Sequence, residues 1–169
     1  VTDGLLEAIR TRSLSSNIVV TGVNSVLRTG RAGNQFNGAL TVLPIGASVT
    51  VQDGALWTMN PTNSETLSRL MGNGRLETGT GGALTITNDV DCTFYGPLSG
   101  SGALNKRGPA MLRLTADSGL FSGPATVFEG TYKVDGRIPN SPITVKSSAT
   151  LRGGFAGSDV TVESGGLVE

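Results

Sequence analysis

The chain has no histidine. That removes Ser-His-Asp relays, imidazole general bases and the commonest protein metal ligand in one stroke. It has one cysteine, Cys92, so there is no intrachain disulfide framework, and a lone thiol does not report a compartment. Aromatic residues make up 5% of the chain and charged residues 15%, leaving few rings to stack on sugars or bases. Thirteen basic and thirteen acidic residues cancel, with no run of one sign. Nucleic-acid binding needs a basic patch to neutralise phosphates, and none stands out. No apolar run approaches the length of about 18 residues that a membrane-spanning helix requires.

What is abundant is glycine, 25 of 169 residues, about twice the usual share of roughly 7%. Val, Thr and Leu accompany it. This composition suits many short strands joined by tight turns, and the low charge argues against disorder. A short motif also recurs: a strand ending in Thr-Val, two variable residues, a small residue, then a second strand. It appears at Thr126-Val127 to Tyr132, Thr144-Val145 to Leu151 and Thr161-Val162 to Leu167, with an earlier copy at Thr50-Val51 to Leu56. The last three Thr-Val pairs are 18 and then 17 residues apart. So short a period predicts one turn of a solenoid, in which each repeat packs only on its neighbours.

In chain order, residues 1–16 are the least repeat-like. Thr2 or Asp3 could cap a short helix carrying Leu5, Leu6 and Ile9, either an edge packed on the first rung or a partner-binding helix. From Asn17 to residue 99 the pattern is one of strands: NIVVTG, NSVLRTG and GALTVLP are apolar runs closed by Gly, Pro or Asn. In GASVTVQDGALWTM, Val49 and Val51 alternate with Ser48 and Thr50, Asp53-Gly54 marks a turn, and Leu56 restarts the alternation as an inward residue. Between the turns at Gly54 and Gly82 lie 28 residues, about ten more than one period. The excess falls in residues 60–74, where Pro61 breaks a strand, Ser64 could cap, and Leu67, Leu70 and Met71 have helical spacing before Gly72. This reads as a loop or short helix that projects from the solenoid or caps its edge. Insertions of that kind often carry binding, which makes Leu67 and Leu70, with the neighbouring Trp57, the candidate partner contacts. Farther on, Leu84 and Ile86 alternate with Thr85, and Val90, Cys92 and Phe94 continue the apolar parity, so Cys92 is expected to be buried and inert.

At residues 100–169 the sequence resembles the autotransporter-associated β-strand repeat of bacterial type V secretion passengers. Gly100, Gly102, Leu104, Lys106 and Gly108 match its opening; Leu112, Leu114, Phe121, Gly123, Thr126, Val127, Gly130, Thr131 and Val134 match the rest. Ala110-Met111 replaces the usual Gly-Thr, one extra residue precedes Phe121, and Tyr132 stands where Leu is usual. The resemblance implies an all-β fold, a right-handed parallel β-helix. At roughly 17–20 residues per turn and about 4.8 Å between rungs, it would have about eight rungs and the insertion near 60–74. Leu112, Leu114, Val127, Val134, Ile143, Val145, Leu151, Val160 and Val162 would then stack inward as a continuous core.

The resemblance further implies a non-enzymatic stalk and folding seed, exported through the periplasm and displayed at the bacterial surface or released. The partners it implies are the protein's own C-terminal translocator β-barrel and, for adhesion or virulence, a host-cell surface or matrix ligand. No cofactor is implied. Val1 opens without a signal peptide and Glu169 ends in mid-pattern, as expected of a piece of something longer.

Parallel β-helices also serve polysaccharide-degrading enzymes and sugar-binding modules, and fold alone does not decide between them. Glycoside hydrolysis uses two carboxylates a few ångströms apart. Asp89 and Asp91 are the best pair, on one strand face if Val90 is inward, although a solvated pair near a turn explains them as well. The glycine pairs lack the following helix and Lys-Ser/Thr of a phosphate loop. Lys106-Arg107 reads as a solvated turn, and Trp57 and Tyr95 as exposed rings.

Overall fold

Alternation of one apolar and one hydroxyl-bearing residue can bury only one face of a strand. A chain made of such segments must therefore roll up so that all inward faces share one core. The computed structural model describes residues 2–8, 14–30, 41–153 and 159–169, and among them there are strands but no helix. In chain order the strands are β1 (Thr2–Ala8), β2 (Asn17–Thr29), β3 (Ala47–Gln52), β4 (Leu56–Met59), β5 (Glu65–Met71) and β6 (Arg75–Glu77). Then come β7 (Ala83–Thr87), β8 (Cys92–Phe94), β9 (Leu98–Gly100), β10 (Ala103–Arg107), β11 (Met111–Leu114) and β12 (Leu120–Phe121). The series closes with β13 (Ala125–Val127), β14 (Gly130–Val134), β15 (Ile143–Val145), β16 (Ala149–Gly153), β17 (Val160–Val162) and β18 (Leu167–Val168).

These strands form a parallel β-solenoid of about seven turns, close to the eight rungs expected. One face is the ladder β3-β5-β7-β10-β13-β15-β17 and a second is β4-β6-β9-β12. The 13-residue β2 joins them, since Asn17–Thr21 pairs with β3 and Val26–Thr29 with β4. The third face, β8-β11-β14-β16-β18, opens only after β5, where Gly72 bridges to Phe94.

Register makes the core columnar. Leu67, Ile86, Lys106, Val127, Val145 and Val162 lie one above another. So do Leu27, Trp57, Leu76 and Leu98, and likewise Cys92, Leu112, Tyr132, Leu151 and Val168. Each fully buried aliphatic side chain contributes about 1.5–3 kcal/mol relative to leaving it in water. Outward positions stack with the same regularity, and Thr66, Thr85, Asn105, Thr126, Thr144 and Thr161 form one polar column. Tight stacking leaves some corners no room for a side chain: a Cβ on Gly96 would lie 1.6 Å from the Gly74 carbonyl oxygen.

Three expectations are corrected. Residues 2–8 are not helical but form β1, which pairs with β2 along Gly4–Ala8; Ile9 lies outside the described residues. Residues 60–74 are not an insertion: β5 lies within them and belongs to its ladder like any other strand. The helical spacing of Leu67 and Leu70 comes from a β-bulge, because Ala47 pairs with Leu67 while Ser48 pairs with Arg69. The extra residue, Ser68, turns both leucines inward, and its hydroxyl meets that of Ser48 at 3.1 Å. Finally, Leu112, Leu114, Val127, Val134, Ile143, Val145 and Leu151 are buried, but Val160 is only half-buried and Val162 is 45% exposed. Both belong to β17, the last strand of its ladder, and no described strand covers its far side.

Candidate functional site

The residues singled out for partner contact are all internal. Trp57, Leu67 and Leu70 have no exposed surface. Inward parity in β4 runs through Ala55, Trp57 and Met59 and leaves Leu56 on the outer side, the reverse of the expected phase. The Trp57 indole Nε1–H donates to Thr29 Oγ1 at 3.2 Å, so its polar edge is satisfied inside the solenoid. Asp89 and Asp91 are exposed but share no strand, since they sit in the bend between β7 and β8 with Val90 48% exposed. Asp91 Oδ1 accepts the Met111 N–H of the next turn at 2.8 Å, a turn-stacking role. Cys92 is buried, and burial pushes its thiol pKa up, away from the reactive thiolate. Among the described residues no three His, Cys, Asp or Glu side chains gather as a metal site would need.

Two buried ionisable groups were not expected. Lys106, read as part of a solvated turn, is 1% exposed and lies between Ile86 and Val127 in an aliphatic column. Its ammonium donates to the carbonyls of Arg107 (2.9 Å), Gly108 (2.7 Å) and Glu129 (3.2 Å), closing a corner over which the chain turns from the first face to the third. Burial outweighs the neighbouring carboxylates and lowers its pKa to about 8. Glu65 begins the inward column that continues through Leu84 and Leu104. Its carboxylate accepts the backbone N–H of Leu43 at 2.9 Å and of Val42 at 3.1 Å, and Asn63 Nδ2–H at 2.7 Å. Desolvation raises its pKa despite these bonds. Strand parity was the available signal for both, because each occupies an inward phase set by Leu67 or Leu104.

Outside the core, one corner gathers polar groups turn by turn. Thr21, Asp53, Asn73 and Tyr95 come from four successive turns. Thr21 Oγ1–H donates to Asp53 Oδ2 at 2.7 Å, the Asp53 N–H donates to Asn73 Oδ1 at 2.9 Å, and the Tyr95 N–H donates to the Gly72 carbonyl at 2.8 Å. Asp53, Asn73 and Tyr95, with Gln52 and Gly72, line a shallow cleft of about 430 Å³, and Tyr95 is 58% exposed. A smaller groove of about 180 Å³ lies on the second face, against Arg75, Ser99, Asp117 and the exposed Leu120. On the third face Arg113, Lys133 and Arg152 stack in register. Asp135 pairs with the first two and Glu169 with the last, which leaves little free positive charge.

No protein-family model matches the sequence and no solved structure matches it. Over 84 residues the chain is 36% identical to the Adhesin BmaC autotransporter of Brucella suis biovar 1 (strain 1330). That match covers 48% of the chain and 2% of the adhesin. The chain fits an autotransporter passenger domain. The all-parallel solenoid, its columnar core and its hydroxyl-rich outer surface agree with this, and the chain spans only a small fraction of the adhesin's length.

Proposed function

We propose that the chain is a non-enzymatic length of the β-helical passenger of an autotransporter adhesin, working as stalk and folding seed. The observation that carries this reading is the unbroken parallel ladder from β3 to β17, whose columns show no polar interruption except Lys106 and Glu65. A one-dimensional stack of this kind folds by propagation from its most stable rungs. The segment Gly100–Gly136, where Leu112, Leu114, Val127 and Val134 are all buried, is the natural seed. Its place would be outside the outer membrane, after transit through the periplasm, with the protein's own C-terminal β-barrel as export partner and a host-cell or matrix surface as the adhesive target.

Labelling of whole cells expressing the full-length protein, with antibody raised against this chain, tests the location. Signal on intact cells is expected; signal only after permeabilisation overturns the passenger reading. The seed role has its own test. Val127→Asp in the full-length protein should abolish display, whereas Val162→Asp, at a half-open position, should leave most of it. Equal display by both variants would remove the seed role and leave the stalk.

A further inference from the structure

We infer that the corner built from Thr21, Gln52, Asp53, Asn73 and Tyr95 is a binding subsite for a neutral, hydroxyl-rich oligosaccharide. The inference rests on the passenger reading, which puts this corner outside the cell.

Sugars present two surfaces to a protein: weakly apolar C–H faces and a rim of hydroxyls that donate and accept. The corner offers a complement to both. Tyr95, more than half exposed, stands in the lining of the cleft, and its aromatic ring is suited to packing against C–H groups while its hydroxyl stays in water. The planar amides and carboxylate beside it have hydrogen-bonding capacity left over. Asp53 uses Oδ2 for the Thr21 hydroxyl, and its second oxygen is an acceptor. Asn73 uses Oδ1 for the Asp53 N–H, which fixes the amide and turns its two N–H donors to other partners. Gln52, next along the lining, adds a donor and an acceptor.

The site is held in shape by the solenoid itself. The backbone of Asp53 is in the left-handed region (φ 56°), an uncommon conformation for a residue with a side chain, and bonds from the turns on either side hold it there. Gly72 forms part of the lining as bare backbone, since a Cβ would lie 2.0 Å from the Val51 carbonyl oxygen. With its lining drawn from three successive turns, the cleft spans two rung spacings, about 10 Å, longer than a single sugar ring. No Arg or Lys lines the cleft and Asp53 is its one formal charge. An anionic glycan would meet a carboxylate with no cation beside it, so the fit is to neutral chains.

The 169-residue chain should be offered to an array of immobilised neutral hexose and N-acetylhexosamine oligosaccharides, with sialylated and sulfated chains alongside. Binding confined to neutral chains of two or more sugars is expected, with Tyr95→Ala and Asn73→Ala each weakening it tenfold or more at an unchanged thermal midpoint. Tyr95→Phe should keep most of the affinity, and chemical shifts on titrating the best oligosaccharide should move at Asn73 and Tyr95. No retained glycan, a preference for acidic chains, or shifts that map elsewhere would overturn the inference. Display of the Tyr95→Ala full-length protein on intact cells separates the two readings. If display persists without glycan binding, only the subsite is lost; if the unaltered protein is not displayed, the passenger reading itself falls.

Discussion

The Lys106 ammonium donates to the Glu129 carbonyl at 3.2 Å, a bond that crosses from one turn of the solenoid to the next. Two further carbonyls, of Arg107 and Gly108, are held by the same nitrogen. A lysine in a column of Ile86, Val127 and Val145 is therefore not a misplaced surface residue. It supplies donors to a corner where the backbone has left the ladder.

Replacing Lys106 with Met keeps the aliphatic stem and removes the donors. Loss of about 1–3 kcal/mol is expected for buried carbonyls left without a partner, measured by urea unfolding at pH 7. The group also gives a pH signature. Its folded pKa of about 8 is below the ordinary 10.5, so between those values the unfolded chain holds a proton that the native chain lacks. Its contribution is complete above 10.5 and lost as pH falls through about 8, with a slope of at most about 1.4 kcal/mol per unit. The Met variant should lose this slope; an unchanged slope would assign the titration elsewhere.

Glu65 has the opposite sense. Its folded pKa is raised above 4.5 by burial, so in the window above 4.5 the native chain keeps a proton that the unfolded chain has released. Its contribution is therefore complete below 4.5 and declines as pH rises through the folded value. Glu65→Gln should flatten that part of the stability curve. Glu65→Ala should instead release the segment it anchors. Amide exchange at Val42 and Leu43, which donate to the carboxylate, should then quicken by an order of magnitude or more, and unchanged exchange there would show that the carboxylate does not hold the segment.

Trp57 distinguishes an internal ring from a surface contact. With no exposed area and a column position between Leu27 and Leu76, Trp57→Ala should cost about 3–5 kcal/mol. Trp57→Phe should cost less, losing chiefly the bond to Thr29. A near-neutral Ala variant would mean that the ring lies outside the core.

The regular part of the fold could be read because its signal is local. In β13 to β16 every second residue is apolar and the turns fall at a fixed period, so phase and face follow from counting. The same counting failed wherever a single residue changed the phase. Ser68 adds one residue to β5 and makes Leu67 and Leu70 look helical. Before β4 the phase begins at Ala55, whose small side chain is a weak marker, so the larger Leu56 reads as inward and Trp57 as exposed. Thr2–Ala8 carries leucines side by side, and what makes it a strand is pairing with β2, which sequence periodicity does not contain. The polar corner was also out of reach, because Thr21, Asp53, Asn73 and Tyr95 are brought together by stacking rather than by spacing. Taken singly, they read as no more than a turn at Asp53-Gly54 and an exposed ring at Tyr95.

Gly96 offers the sharpest test of how tightly the turns stack. A Cβ there would lie 1.6 Å from the Gly74 carbonyl oxygen and 3.0 Å from the Phe94 ring. The obstacle is backbone, which cannot step aside as a flexible side chain can, so accommodation means separating two turns and the ladder bonds between them. Gly96→Ala should lower stability by about 3 kcal/mol or more, at the upper end for a point substitution. Gly119→Ala is the matched control, because a Cβ there meets nothing within 4 Å, and it should unfold within about 0.5 kcal/mol of the parent. Paired urea titrations decide it. If both variants unfold at the same midpoint, the turns are more loosely stacked at this corner than the 1.6 Å approach requires.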